Sequence, residues 1–200
     1  YLWLHSFVEN EQYIVFTLDN RGSKNRGFAF ESVIHRQLGE TEIKDQLKGV
    51  DYLKSLPYVD GNRIAVHGWS FGGFMASSLI TRHPDVFTTA VAGGAVTDWK
   101  YYEVMYGERY MDTPKENPEG YENSRVGKYL DHLNRPLLFI HGSIDDVVVP
   151  QHLMTITRDA IKKNKFIDTF IYPMHAHGVR GSDHIHLTQQ IIDYIKTNNL

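Results

Sequence analysis

The chain has 200 residues, 42% hydrophobic and 12% aromatic, which suits one ordinary domain core and excludes wholesale disorder. Twenty-one Lys plus Arg stand against 24 Asp plus Glu, a net charge of −3 with no basic run, so nothing marks a nucleic-acid surface. Cysteine is absent, which excludes disulfides, thiolate catalysis and Cys-type zinc sites.

In chain order, short apolar β-branched runs alternate with helical patterns, the layout of a βαβ sheet. Tyr13–Leu18 reads as the first strand, closed by the turn residues Asp19 to Ser23. Ile43, Leu47, Val50 and Leu53 recur at helical spacing, and Asp60–Gly61 forms the following turn. Arg63–His67 is a second strand running into Gly68, and Phe71–Arg82 a helix that must stop near Pro84. Val86–Ala92, Pro136–His141 and Phe166–Tyr172 are predicted strands, with Gln151–Lys163 a helix between the last two. Ile185, Thr188, Ile191, Ile192 and Ile195 pattern a C-terminal helix that Ser182 or Asp183 could cap. The Tyr-, Glu- and Pro-rich stretch Trp99–Asn134 reads as an insertion of short helices and loops over the sheet. The uncharged stretch Val86–Thr97 falls short of the roughly 20 apolar residues a membrane span needs, so no span is predicted. No charged-then-apolar leader opens the chain at Tyr1, which is expected to be a processed or excised piece.

The segment that carries chemistry is Gly68-Trp69-Ser70-Phe71-Gly72-Gly73, a Gly-x-Ser-x-Gly pattern directly after a strand and before a helix. A serine on so tight a turn is expected to sit in strained backbone with its hydroxyl exposed, its flanking glycines avoiding collisions. The Phe71 amide, opening the helix, can face a developing oxyanion. The competing reading is a glycine-rich turn whose serine merely caps the helix.

Serine needs a base and an orienting acid, which in α/β-hydrolases follow in the order Ser, Asp or Glu, His. Asp145 lies 75 residues beyond Ser70, and His177 a further 32, each on a loop after a predicted strand. Their neighbours compete for the roles. Asp145 is preferred to Asp146, which leads into the apolar Val147–Val149 run. His177 is preferred to His175 because Gly178 lets the turn bring it back over the sheet edge; the plainer reading of either is a loop histidine with no task. His67 and His141 read as packed, hydrogen-bonded strand ends, while His5, His35, His83, His132 and His152 show no partner pattern. The pairs His175/His177 and His184/His186 have metal-like spacing but few nearby carboxylates, so no metal or other cofactor is expected.

Beyond these motifs, Trp99-Lys100-Tyr101-Tyr102-Glu103-Val104-Met105-Tyr106-Gly107-Glu108-Arg109-Tyr110-Met111 and His141-Gly142-Ser143-Ile144-Asp145-Asp146 complete a pattern. From about Asp19 onward the chain resembles the catalytic domain of the prolyl oligopeptidase family, its dipeptidyl peptidase IV branch in a bacterial form. The resemblance implies an α/β-hydrolase fold, a mostly parallel sheet with helices on both faces, spanning residues 1–200. It also implies Ser70 as nucleophile, Asp145 as orienting acid, His177 as general base and the Phe71 amide as an oxyanion donor. Tyr102 and Tyr106, four apart on a helical turn, would be aromatic walls packing a proline ring, with Val96 and Trp99 lining the same pocket; ordinary core packing is the plainer account of these four.

The implied activity is release of N-terminal dipeptides after a penultimate proline or alanine, through an acyl-enzyme. An acylaminoacyl peptidase or esterase is the nearest rival, and a non-catalytic binding scaffold the alternative from another class. Val147 stands where mammalian members carry an asparagine that holds the substrate backbone. The chain is expected to be the C-terminal part of a longer enzyme, without its first strands, one oxyanion-donating tyrosine and an N-terminal β-propeller, and weakly active or inactive by itself. Its compartment, periplasm or cytoplasm, stays open, and homodimerisation rests on family habit.

Overall fold

The computed structural model describes residues 2–200. Four strands, β1 (Ala65–Trp69), β2 (Thr89–Gly93), β3 (Leu137–Gly142) and β4 (Asp168–Tyr172), form one sheet in the order β1-β2-β3-β4, every pair parallel. The helices are α1 (Leu2–Glu11), α2 (Phe28–Glu31), α3 (Thr41–Lys54), α4 (Phe71–Arg82), α5 (Val104–Met111), α6 (Pro118–Ser124), α7 (Gln151–Lys162) and α8 (Asp183–Asn198).

The side-chain period of a strand divides the core. Ala90, Ala92 and Phe139 face α3, α4 and α7, where Ile43, Val50, Phe74, Ile80, Leu153 and Ile156 are buried. Val91, Leu138 and Ile140 face the other way, against Phe7 of α1 and Leu187, Ile191 and Ile195 of α8. Both faces are covered, as a parallel sheet requires. The register Trp69↔Gly93, Gly93↔Ile140 and Gly142↔Tyr172 brings all four carboxyl ends to one rim. Loops leaving that rim are where ligands meet open α/β sheets.

The α4 and α7 expectations hold to within a residue, and the four later strands shift by three residues or fewer. Between β2 and β3, 3₁₀ turns at Trp99–Tyr101 and Val126–His132 flank α5 and α6. Ser182 occupies the position before α8 but makes no side-chain capping bond. One expectation fails. Tyr13–Leu18 is not a strand of this sheet. Its Ile14, Val15 and Phe16 are half exposed across a cavity of about 590 Å³ from the outer edge of β1. β-branched composition favours extended backbone, but a strand also needs a ladder partner. Among the described residues none lies beside it.

Glu42, in the first turn of α3, is buried in this scaffold. One oxygen accepts from the Gly39 amide at 3.0 Å and the other has no partner. Burial is the main reason its carboxyl is pushed up to about 7; Glu40 adds to the rise, while the Gly39 bond and Arg82 oppose it. A carboxyl raised in the folded state stabilises fully below its unfolded pKa and loses that contribution as pH rises through about 7. Glu42→Gln should therefore melt close to wild type near pH 4.5 but be more stable at pH 8, by roughly 2 kcal/mol. Paired thermal melts at the two pH values check this, and an equal difference at both would contradict it.

Candidate active site

Ser70 is the single residue between β1 and α4, with φ 61° and ψ −118°. For a residue with a Cβ, that conformation costs on the order of 1–3 kcal/mol, which the surroundings must hold in place. The Ser70 amide donates to Gly93 O at 2.8 Å, and Ser70 O accepts from the Phe74 amide at 3.0 Å. The turn closes because backbones touch: a Cβ on Gly68 would lie 2.2 Å from Gly72 O, and one on Gly73 2.6 Å from Gly93 O. Gly72 itself faces open space, so Gly68 and Gly73, and not Gly72, are the glycines that close packing requires. The Phe71 amide opens α4, where the first amides have no carbonyl partner inside the helix.

The loops after β3 and β4 carry the predicted acid and base, and they interlock. Ile144 N donates to His175 O at 3.1 Å, Ser143 N to Tyr172 O at 3.0 Å, and Met174 N to Ser143 Oγ at 2.8 Å. From this knot the Asp145 side chain turns inward and is fully buried, while Asp146 is exposed. Asp145 Oδ1 accepts from the amides of Val147 (3.0 Å) and Val148 (2.8 Å), and Oδ2 lies 2.8 Å from His177 Nδ1. Burial by itself would raise this carboxyl, but the bonds from His177, Val148 and Val147 together hold it below the usual range. An ionised carboxylate only accepts, so Nδ1 of His177 carries the proton in that bond, and in the neutral ring Nε2 then holds the lone pair. His175, the rejected neighbour, turns instead to Asp183, with Nε2 to Oδ2 at 2.8 Å.

The imidazole is fixed from the β1–β2 side as well. Trp69 Nε1 donates to His177 O at 2.8 Å. A Cβ on Gly94 would stand 3.1 Å from His177 Cε1, so the ring packs against the turn that follows β2. Ser70 leaves β1 beside Gly93, and His177 rests on Gly94, so both lie at the same rim. The Ser70 hydroxyl forms no hydrogen bond to the His177 ring. Such bonds often tighten only when substrate is bound.

The predicted pocket residues also come together. Trp99 and Val96 are buried. The Trp99 ring stacks on Tyr106 at 5.7 Å and meets Tyr102 edge-on at 5.5 Å, and Tyr102 meets Tyr106 edge-on at 5.3 Å. Tyr102 and Tyr106 do not share a helix, however. Tyr102 is in extended backbone (φ −86°, ψ 158°) between a 3₁₀ turn and α5, so its side chain is aimed by that linker. Burial, above all, raises both phenols, Tyr106 to about 12, so both stay neutral.

Three side chains that sequence reasoning left without a part in the site belong to the surroundings. The Phe71 ring joins the aromatic wall, 5.9 Å from Trp99. Buried His141 places Nε2 2.7 Å from Val148 O and 3.7 Å from Asp145 Oδ2, and burial lowers it, so it adds no charge behind the acid. His152, wholly buried and pushed down to about 4 mainly by burial, accepts from the Thr97 amide (3.2 Å), while Thr97 Oγ1 donates to its carbonyl (2.8 Å). It ties α7 to the segment bearing Val96 and Trp99. That contact spans 55 residues, and no local pattern announces it. Among the described residues no group of three or more His, Cys, Asp or Glu could hold a metal ion, and no helix is long and apolar enough to cross a membrane.

The model of the prolyl oligopeptidase family matches residues 1–199. Dipeptidyl peptidase 8 of Mus musculus and that of Homo sapiens are each 35% identical over 194 residues, 93% of this chain and 21% of theirs. Among solved structures, a provisionally named dipeptidyl aminopeptidase IV of Bacteroides ovatus superposes with a TM-score of 0.89 at 53% identity. Dipeptidyl peptidase 4 of Porphyromonas gingivalis superposes with a TM-score of 0.86 at 34% identity. Each comparison covers 90% of this chain and 26% of the other. The chain thus spans about a fifth of the length of the curated relatives it matches, and about a quarter of the solved ones.

The contact at Gly94 gives a test of the geometry. Gly94 has φ +47°, and a methyl there would press on His177. Gly94→Ala should slow labelling of Ser70 by a fluorophosphonate by a factor of several, since the ring must give way by a few tenths of an ångström. Labelling at the wild-type rate would show that the ring is not seated on this turn.

Proposed function

The chain belongs to the prolyl oligopeptidase family, and from that footing we propose that it is the catalytic domain of a serine dipeptidyl peptidase acting after a penultimate proline or alanine. The observation that carries the proposal is the 2.8 Å bond between His177 Nδ1 and a buried, ionised Asp145, at the rim where a strained Ser70 leaves its strand. The dipeptidyl peptidase names of the relatives support the substrate class.

In this mechanism Ser70 Oγ attacks the carbonyl carbon of the scissile bond while Nε2 of His177 takes the hydroxyl proton. Asp145 accepts from Nδ1 throughout and stabilises the imidazolium without itself taking the proton. The negative oxygen of the tetrahedral adduct receives the Phe71 amide, helped by the start of α4. Collapse breaks the C–N bond, the amine leaves with the proton from His177, and the dipeptide remains esterified to Ser70. Water, deprotonated by His177, then releases the dipeptide acid and restores the serine. Val96, Trp99, Tyr102 and Tyr106 hold the proline ring. Flat neutral aromatics fit a compact apolar ring and reject longer or charged side chains.

The full-length protein should be labelled at Ser70 by a fluorophosphonate, and Ser70→Ala should not. His177→Ala should lose about 10³-fold or more in kcat, whereas His175→Ala should keep more than about a tenth. An unlabelled wild type would favour the binding-scaffold reading, and a reversal of the two histidine variants would mean that the base is misassigned. Wild type should also prefer a prolyl dipeptide amide to a simple acyl ester, and Tyr106→Ala should erase most of that preference. Equal turnover of both substrates by wild type would support the acylaminoacyl peptidase or esterase reading.

A further inference from the structure

The loop between β4 and α8 carries two histidines, and the chemistry above uses one. Its outgoing limb, residues 173–176, is held to the loop bearing Asp145 through His175 O and the Met174 amide. Its returning limb, residues 178–182, has little packing: Val179 is its one buried side chain, and a Cβ on Gly178 or Gly181 would meet nothing within 4 Å. His177 sits between the two limbs, so its placement depends on what joins them as well as on Trp69 and Gly94.

His175 joins them. Its Nε2 lies 2.8 Å from Oδ2 of Asp183, the first residue of α8, and its Nδ1 accepts from the Arg180 amide at 3.4 Å. The ring also meets Tyr172, the last residue of β4, edge-on at 6.1 Å. The His175 bond is the foremost reason that the Asp183 carboxyl is held below its usual range, so this carboxylate only accepts and Nε2 carries the proton. Nδ1 is then bare and able to take the Arg180 N–H. One neutral imidazole satisfies both partners, and Asp183 is itself favourably placed where a helix begins.

We propose that His175 is a positioning residue which, with Asp183, clamps the loop of residues 173–182 and so fixes the presentation of His177 to Asp145 and Ser70. The inference rests on the serine peptidase reading for its consequence in rate, though not for the clamp itself. Asp183 is 58% exposed, so the pair is a modest restraint, and its loss should cost a factor of several. That is consistent with His175→Ala keeping more than about a tenth of the activity.

In the full-length protein, His175→Ala, Asp183→Ala and the double variant should each lose about three- to tenfold in kcat on a prolyl dipeptide substrate, with KM within about twofold of wild type. The double variant should be no slower than the slower single one, because both remove the same clamp. His175→Gln, which offers an amide N–H and a carbonyl oxygen, should recover most of the loss. The low-field proton signal of His177 Nδ1–H should exchange with water faster in His175→Ala than in wild type. An unchanged proton signal in His175→Ala, or losses that multiply in the double variant, would overturn the clamp. A wild type without turnover would defeat the peptidase reading, and the proton signal would still judge the clamp. Should His175→Ala fail to fold, Asp183→Ala carries the same two readouts.

Discussion

The contact on which the arrangement turns is the hydrogen bond from His177 to Asp145. A carboxylate with its side chain fully buried is expensive unless its oxygens are filled, and here two amides and one imidazole fill them. The bond to His177 makes Nδ1 its donor, which leaves Nε2 on the side of the ring away from Asp145. Nothing in this needs a flexible adjustment. Asp145 receives the Val147 and Val148 amides from its own turn, and the imidazole arrives on a loop knotted to that turn.

The sheet makes the meeting possible. Parallel strands in sequential order put every carboxyl end on one rim, so residues distant in sequence leave neighbouring strands as neighbours in space. The serine is the exception to relaxed geometry. Its positive φ is tolerated because Gly68 and Gly73 let α4 press against β1 and β2. The strain at one residue is thus compensated by close helix–sheet packing, which buries Phe74, Ala76 and Ile80 beside it. Stability and site geometry share the same contacts, so small changes at the turn should be felt in both.

Much of this was legible in the sequence, for identifiable reasons. The Ser70 turn, the strand before it and the helix after it are local, and local spacing suffices to read them. Asp145 and His177 were readable because each follows an apolar strand, and Asp145 was separable from Asp146 because Asp146 leads into the apolar Val147–Val149 run. What escaped depends on long-range contact. Tyr13–Leu18 has the composition of a strand but lies beside no ladder among the described residues, and composition does not report which neighbours a segment has. Tyr102 and Tyr106 have helical spacing, yet an extended residue intervenes before α5. His152 looked idle because its partner, Thr97, lies far along the chain. His175 seemed a spare loop residue until Asp183 and the Arg180 amide were seen to share its two nitrogens.

The central claim is that one hydroxyl, one imidazole and one carboxylate act on a common carbonyl. Its most direct measurement is a crystal structure of the full-length protein after reaction with a fluorophosphonate. The account predicts phosphorus bonded to Ser70 Oγ, a phosphonyl oxygen receiving the Phe71 amide, and His177 Nε2 within hydrogen-bonding reach of the adduct while Nδ1 stays on Asp145. Phosphorus on any other side chain, or an adduct with His177 turned away from both partners, would contradict it.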